Sequence, residues 1–267
     1  MTKLIRIIVK IFQNLFFFRK KQGFEIAGSK DEYLEIFKNA KSKIYPMIDN
    51  FEKKMGYSID KKWLDDLALI TQVSIKKSEI NYQHGRVLYS SLKKYLKNFD
   101  DKNLTIFETG TARGFSSVCM SKALKEENMN GEIHTIDILP NNKKIYWNCI
   151  TDHEVGRTTR IELLSNYSEL TKNIHFHNMK SIEFTKNFNL KRINFAFLDA
   201  EHNEENIKFE YEYVMNRQFK NDIIIFDDYD DKYESLKKYL NQVLTKKYIT
   251  KIISGSDNRH YLYCSKI

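Results

Sequence analysis

Proline and glycine are scarce, with two and nine in 267 residues, which excludes long flexible linkers and low-complexity tails. No segment of repeat length recurs, so solenoid and propeller architectures are excluded as well. Only three cysteines occur, Cys119, Cys149 and Cys264. An odd number without metal-ligand spacing excludes a disulfide framework and fits a reducing compartment, with each thiol a small core residue. Apolar runs long enough to span a bilayer are missing, and no small-residue cleavage site follows the first apolar stretch, so neither a membrane span nor a secretory signal is read. What remains, with 42% hydrophobic residues, is enough to bury the core of one α/β domain with an appendage.

Acidic residues are absent from the first 21 positions, where Lys3, Arg6, Lys10, Arg19, Lys20 and Lys21 supply six of the nine net positive charges. The remaining +3 is too little for a nucleic-acid surface, and the lysines elsewhere read as a solvated face. Residues 3 to 21 pattern as a basic amphipathic helix with Leu4, Ile7, Ile8, Ile11, Phe12 and Leu15 on one stripe, followed by Phe16, Phe17 and Phe18. Such a helix either lies in a membrane interface through anionic headgroups or packs on the protein or a partner copy. The expected location is cytoplasmic, with or without peripheral contact at the inner membrane face.

The chain divides into this helix (1–21), a helical lead-in (22–80) and a catalytic domain (81–267). From Asp31 to Phe99 the pattern is helical, ending in a helix from about Ile80 to Leu96. Within it Asn81-Tyr-Gln-His-Gly-Arg86 either lines the mouth of a site or simply starts a helix with surface side chains. Downstream, short apolar runs alternate with helical stretches. The strands are Leu104–Phe107, Glu132–Asp137, Ile174–His177, Ile193–Asp199 and Asp222–Asp228, with a helical region about Lys144–Leu170 among the connections. Tyr248–Ile253, a Gly255-Ser-Asp-Asn turn and His260–Ser265 read as a closing antiparallel hairpin. Near-continuous apolar strands between helices predict a parallel sheet covered on both faces.

The organising stretch is Ile106-Phe-Glu-Thr-Gly-Thr-Ala-Arg-Gly-Phe-Ser-Ser117. A strand, a glycine turn and a helix start bring bare backbone against a ligand, with unpaired helix amides facing it. Asp137 ends the next strand 21 residues after Ser116, the spacing at which an acid holds a ribose diol. Dinucleotide enzymes share this much but favour Gly-x-Gly-x-x-Gly.

Glu108-x-Gly110-x-x-x-Gly114 instead resembles the first motif of class I S-adenosylmethionine-dependent methyltransferases. The resemblance covers roughly residues 80 to 267. It implies a Rossmann-like, seven-stranded, mostly parallel sheet with an antiparallel last strand and an N-terminal helical extension. In that family the position of Glu108 serves the methionine end of the cofactor, Gly110, Thr111 and Gly114 bring the backbone against it, and Asp137 holds the ribose. Ser116 stands where many members have a third glycine. After the third strand, relatives commonly place Gly-Asp-Ser; here His177-Asn-Met-Lys-Ser181 leaves adenine recognition to Asn178 or a backbone carbonyl.

With the family's strand order, Asp199 on the fourth strand and Asp227 and Asp228 on the fifth converge beyond the carboxyl ends of the sheet. Three crowded carboxylates raise one another's pKa unless a hard cation neutralises them, and Mg²⁺ or another divalent ion does so most simply. The plain alternative is that Asp199 caps the following helix and the pair faces solvent or a lysine. His202 puts an imidazole three residues after Asp199, and the free imidazole pKa of about 6.5 suits a general base. Asp-x-x-His with Asp-Asp resembles the metal-dependent O-methyltransferases of sugar and macrolide biosynthesis, with Asp199 and His202 in the catalytic positions. The resemblance implies methyl transfer from S-adenosylmethionine to a hydroxyl of a sugar, surface glycan or glycosylated natural product. The acceptor would be a small molecule or glycan and not a nucleic acid, and a homo-oligomer is open to the chain. Competing readings are a nucleotide-dependent oxidoreductase or hydroxylase-like enzyme on the same fold, and a non-enzymatic membrane-associated scaffold.

Overall fold

The structure, a computed structural model, describes residues 23, 25–99, 103–199, 204–256 and 259–267. The basic segment 3–21, with the membrane contact expected of it, and His202 lie outside the described residues. Among those described, no helix is long and apolar enough to cross a membrane.

Three helices lead in: α1 (Lys30–Lys41), α2 (Pro46–Met55) and α3 (Lys61–Thr71). Their starts are written locally. Ser29 and Glu32 form a reciprocal capping box on α1, Pro46 opens α2, and the Asp60 side chain accepts from the Trp63 amide at α3, each satisfying or sparing an orphan helix donor. Helix α4 runs His84–Leu96. It begins later than expected because the Asn81 side chain accepts from the Gln83 amide at 2.9 Å, an Asx turn that delays the helix.

Seven strands follow: β1 (Asn103–Thr109), β2 (Asn130–Asp137), β3 (Ile174–Asn178), β4 (Phe195–Leu198), β5 (Ile223–Phe226), β6 (Tyr248–Ser256) and β7 (Arg259–Lys266). They form one sheet in the order β3-β2-β1-β4-β5-β7-β6. The first five run parallel, and β7 pairs antiparallel with both β5 and β6. The family's seven-stranded architecture is therefore present, and β4 does lie beside β1. Strand order reverses between those two strands, where ligands of open α/β sheets bind.

Helices cover both faces: α5 (Phe115–Glu126), α6 (Ser181–Asn187), α7 (Glu204–Met215) and α8 (Glu234–Leu244). Period-two alternation sends Ile106, Phe195, Phe197, Ile223 and Ile225 toward α4, α5 and the lead-in helices. Phe107, Ala196, Leu198, Ile224 and Phe226 pack on the other face against Phe184 of α6, Tyr211 of α7 and Leu240 of α8. Each large apolar side chain buried this way contributes about 1.5–3 kcal/mol.

The helical region expected over Lys144–Leu170 is mostly irregular. Only short helical turns form, at Thr151–Glu154, Arg160–Leu163, Ser165–Tyr167 and Ser168–Thr171, around an isolated bridge between Ile145 and Thr158. The Asp152 carboxylate accepts from the amides of Trp147 at 2.8 Å and Cys149 at 3.2 Å. Ile145, Trp147, Cys149 and Leu163 then bury one another in a small core of their own. These local bonds hold the backbone in a loop.

Gly85 sets how closely α4 approaches α5. A Cβ there would stand 2.7 Å from Phe115 Cε1 and 3.0 Å from Cys119 Sγ, and Phe115 is fully buried. Gly85→Ala should therefore lower stability by about 1–3 kcal/mol through overpacking, despite alanine's advantage in a helix of about 1 kcal/mol. Urea denaturation checks this; a stabilised variant would mean the two helices can part freely.

Candidate active site

The turn after β1 is held from two sides. Asp137, at the end of β2, accepts from the Ala112 amide at 2.7 Å and the Leu139 amide at 2.8 Å. Arg160, 1% exposed, donates from Nε to the Ala112 carbonyl at 3.0 Å and packs its guanidinium against Trp147 and Phe176. Ala112 thereby keeps a left-handed backbone, φ 45°, at a cost of about 1–2 kcal/mol for a residue with a Cβ. Gly114 has φ 91°, and a Cβ there would meet Leu164 Cδ1 at 2.9 Å, so glycine is required by the fold itself.

Other motif residues point inward. Glu108 is fully buried and accepts from the hydroxyls of Ser116 and Ser117 in the first turn of α5; burial raises its pKa, opposed by these serine bonds and by Thr135. The Thr111 and Thr135 hydroxyls lie 2.5 Å apart. Asn178 donates to the carbonyls of Ile138 at 2.9 Å and Leu139 at 3.0 Å, bracing the loop after β2.

A cleft of about 370 Å³ opens between these loops, within the size range of small-molecule sites. Gly110, Ala112 and Asp137 form its polar wall, and Ile136, Ile138, Met179 and Ile182 an apolar slot at the far end. Lys180 and Ser181 flank the slot, and Asp199 lies at the near end. Of the residues expected to hold a cofactor, Gly110 and Asp137 line this cleft, whereas Glu108, Thr111, Gly114, Ser116 and Asn178 build or brace its frame.

At the near end three aspartates gather as expected. The Asp199 amide donates to the Thr109 carbonyl and the Asp227 amide to the Leu198 carbonyl, both at 3.1 Å. A residue not anticipated from the sequence joins them. Arg259, at the start of β7, donates from Nε to Asp227 Oδ1 at 3.1 Å and from Nη2 to Asp227 Oδ2, with Asp228 Oδ1 3.9 Å from Nε. Its Nη1 reaches the Asn81 carbonyl at 3.3 Å. Desolvation and the Asp227 charge push the Asp199 carboxyl well above the usual range. Desolvation pushes Asp227 the same way, but the Arg259 guanidinium outweighs it and holds this carboxyl low. His84, stacked on Phe197 at 6.0 Å between ring centroids, has its pKa driven to about 3 by burial and by Arg259. Lys76, exposed on the loop after α3, feels the same carboxylates; desolvation, Arg259 and Arg113 lower its pKa.

This arrangement does not fit the expected divalent ion. Both Asp227 oxygens are engaged by the guanidinium, and Oδ1 also accepts from the Asp228 amide at 2.8 Å. A cation bound by Asp227 would sit against a half-buried like charge. Arg259 supplies the compensating charge that was assigned to the metal.

Comparison with known proteins agrees with the fold. Residues 107–229 match the model of a family described as a methyltransferase domain. No curated protein matches the sequence. Among solved structures, a candidate O-methyltransferase from Klebsiella pneumoniae superposes with a TM-score of 0.53 at 13% identity, over 82% of this chain and 96% of that one. The O-methyltransferase TomG of Streptomyces achromogenes, involved in tomaymycin synthesis and solved with S-adenosylmethionine, gives 0.51 at 13%, over 79% and 92%. A Bacillus cereus O-methyltransferase bound to S-adenosylhomocysteine gives 0.51 at 12%, over 78% and 92%.

Two substitutions probe the acidic end. Arg259→Met should cost about 3–5 kcal/mol, because it leaves Asp227 buried without its partner, and Arg259→Lys should recover part of that in chemical denaturation. For Asp199 the folded pKa lies above the unfolded value of about 3.9. The folded state then binds more protons in that window, so stability falls as pH rises from the unfolded pKa through the folded one. Asp199→Asn should accordingly gain in melting temperature relative to wild type at pH 8 compared with pH 4; an equal difference at both would contradict the raised pKa.

Proposed function

From the premise that this chain carries a class I methyltransferase domain, we propose that it is an S-adenosylmethionine-dependent O-methyltransferase acting on a sugar-type hydroxyl. The observation that carries the reading is the single cleft joining Gly110 and Asp137 to Asp199. It supports placing the donor's ribose at Asp137, its adenine in the slot of Ile138, Met179 and Ile182, and the acceptor at the aspartates. In this reading Gly110 and the neighbouring loop follow the donor's contour, while Glu108, Thr111, Gly114, Ser116 and Asn178 act on it through the frame they hold.

The donor supplies a methyl group on a positively charged sulfur, open to in-line attack by an oxygen nucleophile. The chain's own part is to orient the acceptor and remove its proton. Asp199 and the partly exposed Asp228 offer acceptors to the hydroxyls of a polyol, which favours a sugar over an apolar alcohol. His202 follows Asp199 by three residues and takes the hydroxyl proton as general base. Asp227 serves the site through Arg259. A Mg²⁺ step has no part here, since that guanidinium already meets the acid that would bind the ion. The acceptor is a small molecule or glycan, in keeping with the modest charge outside residues 1–21.

Calorimetric titration with S-adenosylhomocysteine, with and without EDTA, tests the reading. Micromolar binding that survives chelation is expected, with Asp137→Ala abolishing it and His202→Ala retaining binding while losing methyl transfer to sugar acceptors. Absence of binding in wild type would remove the methyltransferase assignment, and binding or turnover that vanishes with EDTA would restore the metal.

A further inference from the structure

Three of the chain's seven histidines stand together on one face of the β2–β3 pair, away from the aspartates. The parallel register sets His134 opposite His175 and Ile136 opposite His177. Because side chains alternate along a strand, Glu132 and His134 share a face of β2, and His175 and His177 share the same face of β3. The imidazoles of His134 and His175 stack at 4.8 Å between centroids.

The donor atoms converge. His134 Nε2 lies 3.6 Å from Glu132 Oε2, and His175 Nε2 lies 4.0 Å from Glu132 Oε1. Among the described residues this is the one group of three metal-ligating side chains whose donor atoms all approach within 4.8 Å of one another. Ligands of a tetrahedral zinc with bonds of about 2.1 Å are themselves about 3.4 Å apart. Closing the gap needs only side-chain rotation at Glu132 and His175, whose side chains are 66% and 47% exposed. The half-buried ligand is already aimed: His134 Nδ1 is 3.1 Å from His177 Nε2, and His177 is wedged against Phe184 at 4.7 Å and Phe188 at 5.2 Å. Holding the far nitrogen of a ligating imidazole fixes its ring and tautomer, as outer partners do in metal sites.

We propose that Glu132, His134 and His175 bind a first-row transition ion, with Zn²⁺ the best match, and that His177 positions His134. Two imidazoles and one carboxylate on an open face form a three-ligand set that leaves a coordination position for water. The ion would bridge β3, the short strand at the sheet edge, to its neighbour β2. Its principal effect is therefore to fasten that edge, and the site is separate from the Arg259 cluster.

The full chain, freed of metal with EDTA and dialysed, should take up one equivalent of Zn²⁺ by calorimetry, with a rise in melting temperature that follows the concentration of free ion. His175→Ala and Glu132→Gln, both at exposed positions, should lose the binding and the thermal shift while keeping the apo melting temperature. His177→Ala should weaken binding by about 10–100-fold. Asp228→Asn should leave it unchanged. Co²⁺ added in place of Zn²⁺ should give visible bands of tetrahedral intensity that disappear in His175→Ala. Wild-type protein that takes up no Zn²⁺ at micromolar concentration would overturn the proposal, as would uptake that depends on Asp228 and ignores His175.

Discussion

The constraint on which the catalytic end of this sheet depends is the placement of a guanidinium among carboxylates that the strand order forces together. Parallel pairing of β4 with β5 carries Asp199 and Asp227 to the same level, and there is no room for two adjacent charges without a third. Arg259 meets this requirement from β7, which the antiparallel hairpin inserts beside β5. Because the same arginine also reaches the Asn81 carbonyl, one side chain ties the last strand to the entry of α4. Sheet, hairpin and lead-in helices thus share a single electrostatic joint, and it shifts the two acids in opposite directions, Asp199 up through burial and the Asp227 charge and Asp227 down through the guanidinium.

A second joint operates at the other end of the cleft. Asp137 and Arg160 grip the amide and carbonyl of the same residue, Ala112, and the cation–π contacts of Arg160 keep its charge buried without a direct carboxylate bond. The turn therefore owes its shape as much to a side chain some fifty residues downstream as to its own glycines. Glu108, which the motif presents as a ligand group, spends both oxygens on the serines of α5. Ser116 in the place of a glycine has a structural part here, since its hydroxyl closes that buried bond.

What could be read from the sequence follows from how local the physics is. Apolar runs such as Ile223–Phe226 announce buried strands, and an acid at each strand's end marks the ligand side of the sheet. The strand order came from the family pattern and carried Asp199 to Asp227 correctly. The segment 144–170 departs from the expected helix because it folds on itself around Asp152 and Trp147, held by side-chain bonds to the backbone that no apolar period reveals. Arg259 was invisible because its partner lies 32 residues away and no local period links them. A subtler signal was available: nine of the 44 basic residues are arginine, so arginine in so lysine-rich a chain marks places where a planar fork is needed. Arg86, Arg113, Arg160, Arg192, Arg217 and Arg259 all make several bonds to the protein.

The hairpin also fixes an order of events during synthesis. Asp199 and Asp227 leave the ribosome before Arg259 does, and a chain made from its N-terminus folds what it can as it emerges. Until β7 arrives, β5 is an open edge, and Asp227 at its end lacks the guanidinium that pairs with it in the finished fold. The last strand to be made therefore both covers the edge of β5 and completes the charge balance at the end of the cleft.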